Sequence, residues 1–127
     1  MTKEELYEKA LEAMQNSYSP YSNFKVGAAL LTKSGEVFTG CNIENASYGA
    51  AICAERTAFV KAISEGFKEI DAIAVCCDHE DIPAYPCGIC RQFMYEFGDD
   101  IRIILKERDG LLTETTISKL LPKGFRL

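Results

Sequence analysis

The sequence has no uninterrupted apolar run approaching the roughly 20 residues that a membrane-spanning helix needs. Behind Met1, Thr2 and Lys3 come two glutamates rather than the apolar stretch of a secretory leader. Both absences point to a soluble, cytoplasmic chain with no membrane partner. A basic run or stripe is also missing: 14 Lys and Arg stand against 19 Asp and Glu, for a net charge of −5. Binding to long DNA or RNA draws much of its affinity from neutralised phosphates, so no nucleic-acid polymer is expected as a partner. A small neutral ligand suits this surface better. Repeats, linkers and low-complexity segments are absent, and 127 residues with 47% apolar content suit a single domain spanning 1–127. Histidine occurs once, as His79, in the polar stretch Asp78-His79-Glu80-Asp81. With no partner at ligand spacing it is expected to be solvated.

What the chain does have is cysteine: Cys41, Cys53, Cys76, Cys77, Cys87 and Cys90. Without an export signal, and with a core large enough to need no staples, thiols at C-x-x-C spacing point to metal or redox work rather than structural disulfides. Cys76 and Cys77 close an apolar stretch and are expected simply to pack.

Thr2 followed by Glu5 is a capping-box signature, and Leu6, Ala10, Leu11 and Met14 recur at helical spacing. A helix is therefore predicted to about residue 17, broken by Ser19-Pro20. Residues 24–32 and 37–41 flank a Gly-containing turn and read as a β-hairpin. Residues 42–49 are polar and irregular. A second helix is predicted over 52–65 with Gly66 as its stop, and a central, almost wholly apolar strand over 70–77. A proline-bearing loop over 78–86 leads to a third helix over 87–97. A strand over 102–106, a turn, a fifth strand over 111–115 and a short helix over 117–121 complete the chain. Helix and strand alternate, so the expected fold class is α/β, a three-layer α-β-α arrangement on a five-stranded mixed sheet.

The chemistry lies in two short motifs, each opening a helix: Cys53-Ala54-Glu55 and Pro86-Cys87-Gly88-Ile89-Cys90. Helix N-termini carry about half a positive charge and unpaired N–H groups, which favour thiolates. Cys87 and Cys90 share a helical face. If the two helices lie side by side with their starts converging, Cys53 adds a third sulfur. Three protein ligands leave zinc one open position, as catalytic sites do, and the acidified water there becomes hydroxide near neutral pH. Glu55 is then placed to handle protons without ligating the metal. Three thiolates would blunt the acidifying effect, and Arg56 is the natural counterweight, drawing charge off the sulfurs. C-x-E followed about thirty residues later by P-C-x-x-C is the arrangement of zinc deaminases, in its three-Cys variant.

At these residues the chain closely resembles the small homotetrameric cytidine deaminases. The likeness extends to Phe24-Lys25-Val26-Gly27-Ala28-Ala29-Leu30, to Asn42-Ile43-Glu44-Asn45-Ala46-Ser47-Tyr48-Gly49, and through Arg91-Gln92. The resemblance implies hydrolytic deamination of cytidine and deoxycytidine, with one Zn2+ per chain held by Cys53, Cys87 and Cys90. Glu55 would be the proton shuttle for hydroxide attack at carbon 4 of the cytosine ring. It implies that Asn42 and Glu44 bind the ribose hydroxyls, that Phe24 packs on the pyrimidine, and that the backbone at Ala54 meets the base edge. It also implies a homotetramer in which Phe125, and similarly Tyr48, lie at a neighbouring subunit's site. Three other readings stay open: a same-fold deaminase for another amino-heterocycle, a structural zinc module needing a fourth ligand, and a thiol–disulfide enzyme built on Cys87 and Cys90.

Overall fold

A computed structural model describes residues 1–127. Helix α1 spans Lys3–Met14, and the Thr2 side chain accepts the Glu5 N–H at its start. The hairpin β1 (Val26–Thr32) and β2 (Val37–Cys41) follows, and a single 3-10 turn at Tyr48–Ala50 interrupts the polar segment. Then come α2 (Ala54–Ser64), β3 (Ile70–Cys77), α3 (Gly88–Tyr95), β4 (Arg102–Lys106), β5 (Leu112–Thr116) and α4 (Ile117–Leu120). The sheet order is β2-β1-β3-β4-β5. Only β3 and β4 pair in parallel; the other neighbours are antiparallel.

The middle strands read as continuous apolar runs because both their faces are buried. Ala28, Leu30, Ile73, Val75, Ile103 and Leu105 face one core, against Ala58 and Phe59 of α2, Met94 of α3 and Ile117 of α4. The alternate residues Ala29, Ala72, Ala74, Cys76 and Ile104 face the other, against Leu6, Ala10 and Met14 of α1. The result is the expected three-layer sandwich. No helix is long and apolar enough to cross a membrane.

Several boundaries differ from the sequence expectation, each for a physical reason. The strand β1 starts at Val26 rather than residue 24, because the Phe24 backbone is taken by side chains: its N–H donates to Ser22 Oγ (3.0 Å) and its carbonyl accepts from Asn42 Nδ2 (2.7 Å). Helix α2 starts after Cys53, because Ile52 exchanges backbone hydrogen bonds with Ile43. Helix α1 ends at Met14, and Ser17 beyond it turns its hydroxyl to the Asn42 side chain.

Candidate active site

One glycine, Gly40, lets α2 approach the sheet closely enough for the site to form. A Cβ at Gly40 would lie 2.6 Å from both the Ala54 carbonyl and the Ala58 nitrogen, so the first turn of α2 rests directly on β2. Thr57 fastens the same turn, its hydroxyl donating to the Cys41 carbonyl at 3.1 Å. At the start of α3, Arg91 Nε donates to the Pro86 carbonyl (2.7 Å) and Nη1 to the Leu120 carbonyl (2.8 Å). The turn that delivers Cys87 is thereby tied to α4. The sequence reading gave Arg91 no such role, because the partner carbonyl of Leu120 is distant along the chain.

Cys53 and Cys87 occupy the N-cap positions of α2 and α3, with extended backbone angles. Ser, Thr, Asp or Asn at that position would bond back to the helix N–H groups. Neither thiol does so. Instead the sulfurs face each other at 3.8 Å. Cys90, one turn into α3, is buried and completes a group of three whose sulfurs all lie within 4.8 Å of one another. No fourth His, Cys, Asp or Glu joins the group. Cys76 is in the α1-side core, Cys77 donates to the His79 and Ile82 carbonyls at 3.4 Å, and Cys41 ends β2.

Three soft thiolate donors at two helix starts fit zinc with one position left open. A closed structural site would need a fourth ligand, and a dithiol enzyme would not place a third sulfur in the same group. Among the thiols themselves, the electrostatics favour Cys53 as the thiolate. Cys53 is pushed down to about 5, chiefly by the hydrogen bond it receives from Cys90 and then by Arg56. Cys90 is pushed up because it keeps that shared proton and is buried beside Glu55. Arg56 Nη2 donates to Cys53 Sγ at 3.6 Å. Burial works against the Arg56 charge, but hydrogen bonds to Cys53 and Cys90 outweigh it and raise its pKa. Arg56 Nε is buried with no hydrogen-bond partner.

Glu55 is only 4% exposed, one of the few polar residues inside the fold. Its pKa is pushed up to about 7, first by burial and then by the Cys53 charge, while its own N–H and Arg56 pull the other way. A carboxyl with that value can hold or release a proton near neutral pH.

Glu55, Cys53 and Cys87 open on a cleft of about 370 Å³ that Phe24, Asn42, Glu44 and Ala54 also line. Asn42 Oδ1 accepts the Val26 N–H (2.9 Å) and its Nδ2 holds the Phe24 carbonyl, leaving one amide hydrogen uncommitted. Glu44 Oε1 accepts the Tyr21 and Ser22 N–H groups at 2.9 and 3.1 Å, and Oε2 takes the Ser22 hydroxyl. Both residues therefore brace the turn before β1 as well as lining the cleft. Tyr48 and Phe125 do not line it; they stand on the surface, 79% and 65% exposed. Phe125 is nevertheless held in place, its backbone carbonyl accepting from Gln92 Nε2 at 2.8 Å. The remaining wall, Ser22 and residues 82–85, was not singled out from the sequence. The one available signal was the position of residues 82–85 after the carboxyl end of β3, where α/β sheets place ligands.

Residues 1–106 match the family described as the cytidine and deoxycytidylate deaminase zinc-binding region. The chain belongs to this deaminase family. It is 50% identical over 129 residues to a probable cytidine deaminase of Dictyostelium discoideum, covering 98% of this chain and 86% of that one. It is 49% identical over 126 residues to the cytidine deaminase of Halalkalibacterium halodurans, covering 98% and 95%. The crystal structure of cytidine deaminase from Burkholderia pseudomallei superimposes with a TM-score of 0.91 at 48% identity, covering 98% of this chain and 100% of that one. The deaminase is thus a zinc-dependent hydrolytic enzyme, and the three-thiol group is where its donors are available.

Proposed function

We propose that this deaminase, acting as one unit over 1–127, converts cytidine and deoxycytidine with water to uridine and deoxyuridine plus ammonia. The observation that carries the reading is a buried carboxyl, Glu55, opening on the same cleft as three clustered thiols. Cys53, Cys87 and Cys90 would hold the zinc, which would acidify a water for use as nucleophile. Glu55 takes a proton from that water as its oxygen bonds to carbon 4, and delivers it to the neighbouring ring nitrogen. It then carries the second proton to the exocyclic amino group, the C–N bond breaks, and ammonia leaves. One carboxyl can do both because its proton affinity sits near neutrality. Arg56 offsets the excess negative charge of the thiolates.

Substrate recognition falls to the other residues that line the cleft. Phe24 packs on the pyrimidine and the Ala54 backbone meets the base edge. The free Asn42 amide hydrogen and the remaining acceptor capacity of Glu44 take the ribose hydroxyls, and the bonds that brace both side chains hold them in position beforehand. Nothing basic lines this cleft to hold a 5′-phosphate, which favours a nucleoside over a nucleotide. The exposed Tyr48 and Phe125 suit a cytoplasmic homotetramer in which each reaches a neighbour's cleft.

The test is ammonia release from cytidine by the purified, zinc-quantified chain beside Glu55→Gln. Glu55→Gln is expected to keep zinc and fold while losing about 10²- to 10⁴-fold in turnover. Near-parental turnover in that variant would remove Glu55 from the chemistry. Zinc without turnover on either nucleoside would redirect the search to other amino-bearing heterocycles.

A further inference from the structure

We propose that His79 is a positioning residue for the pyrimidine: its imidazole backs the Phe24 ring and sets the plane against which the base lies. The inference rests on the reading that Phe24 packs on the base. His79 is half exposed, as its polar neighbours in the sequence suggest, but it is not free in solvent. Its ring stacks on Phe24 with centroids 5.1 Å apart and planes 20° from parallel. This is the only aromatic partner Phe24 has.

The backbone of Phe24 is already fixed on both sides by Ser22 and Asn42. What remains is rotation of the side chain, and the terminal torsion of a phenyl ring is intrinsically broad. The stacked imidazole narrows it. His79 is itself attached to the segment it controls. The Asp78 N–H donates to the carbonyl of Lys25, next to Phe24, at 3.1 Å, and the Cys77 thiol donates to the His79 carbonyl at 3.4 Å. On the ring's edge, Asp78 Oδ1 lies 3.8 Å from His79 Nε2.

His79 does not line the nucleoside cleft. It lines a second cavity of about 300 Å³, and Val75, Ile82 and Ala84 line both. The Phe24–His79 pair therefore spans the partition between two cavities, with Phe24 on the substrate side. His79 acts through Phe24, on binding rather than on the reacting atoms.

The experiment compares steady-state kinetics on cytidine for the zinc-loaded parent, His79→Ala, His79→Leu, His79→Phe and Phe24→Ala. An aromatic pair of this kind is worth roughly a two- to tenfold change in binding. His79→Ala and His79→Leu are expected to raise KM by that factor with kcat changed less than about twofold. His79→Phe, which restores a planar ring, returns KM to the parental value. Because the chain has one histidine, its imidazole proton resonances are a single-site probe. They are expected to shift on titration with uridine in the parent and to stay still in Phe24→Ala. A parental KM in His79→Ala, alongside a raised KM in Phe24→Ala, overturns the role of His79 and leaves the proposed function standing. Equal rescue by Leu and Phe overturns it too, since volume alone would then suffice. An unchanged KM in Phe24→Ala overturns the base-packing reading itself.

Discussion

Arg56 shows how one side chain can set the charge of a whole site. In the proposed zinc site three thiolates would exceed the charge of a divalent zinc by one, and the guanidinium on Cys53 Sγ would offset that excess. Arg56→Gln is expected to lower turnover and zinc retention by about 10- to 100-fold, the usual scale for a partner hydrogen-bonded to a metal ligand. Activity and the rate of zinc loss to a chelator measure the two effects. Arg56→Lys is expected to recover little, since an ammonium lacks the planar guanidinium that reaches Cys53 Sγ. At this scale the sequence was most readable where chemistry demands particular atoms. Cys53, Glu55, Cys87 and Cys90 stand at spacings that few other purposes require. It was least readable where a role depends on the course of a loop. The bonds from Glu44 to Tyr21 and Ser22 need residues 42–44 to return beside the turn after α1, and no local pattern announces that. The His79 stack is the same kind of case: its neighbours in sequence are solvated and its neighbour in space is aromatic.

Two glycines of the hairpin do similar work on opposite faces of the sheet, with different consequences for catalysis. Gly40 admits the first turn of α2, and a Cβ there would meet backbone atoms of Ala54 and Ala58 at 2.6 Å. Gly27 admits α1, where a Cβ would lie 2.1 Å from the Ala10 carbonyl. Either alanine substitution overpacks a backbone contact and is expected to destabilise the fold by about 1–3 kcal/mol. Only Gly40→Ala should also displace Cys53 and Glu55, so it is expected to lose zinc and turnover per folded molecule. Gly27→Ala should melt earlier yet keep both. Thermal melting with zinc stoichiometry separates the two, and equal zinc loss in both would mean that the α2 contact does not position the site. The elements themselves were legible because periodicity and caps agree with tertiary burial: the apolar runs at 26–32 and 70–77 are strands covered on both faces. Helix starts were less legible by a residue or two, because a cysteine gives no capping signal even where it occupies the N-cap.

For the whole molecule, the tail is the informative segment. Residues 124–126 are not loose: Arg126 lies over the Tyr95 ring at 4.0 Å and donates to the Tyr95 carbonyl at 3.0 Å through Nε, while Gln92 holds Phe125. The backbone is fixed and the Phe125 ring is left outside, an arrangement that suits burial in a neighbouring subunit. If the proposed tetramer shares its sites, Phe125→Ala is expected to raise KM by about tenfold, the scale of one lost aromatic contact, with light scattering giving a four-chain mass for both parent and variant. A fully active monomer would undo the shared-site reading. Any such assembly must also avoid open-ended polymerisation through the strands at the two margins of the sheet. The Lys61 ammonium donates to the Thr39 carbonyl of β2 at 2.5 Å, occupying a group that an incoming strand would need. At the other margin, β5 reads Leu-Thr-Glu-Thr-Thr, with Glu114 bound to Arg102 at 2.9 Å, a polar and charged border rather than an apolar template. With both borders guarded, the sheet is expected to end at five strands even at high protein concentration, and a dye assay that detected fibrils there would contradict it.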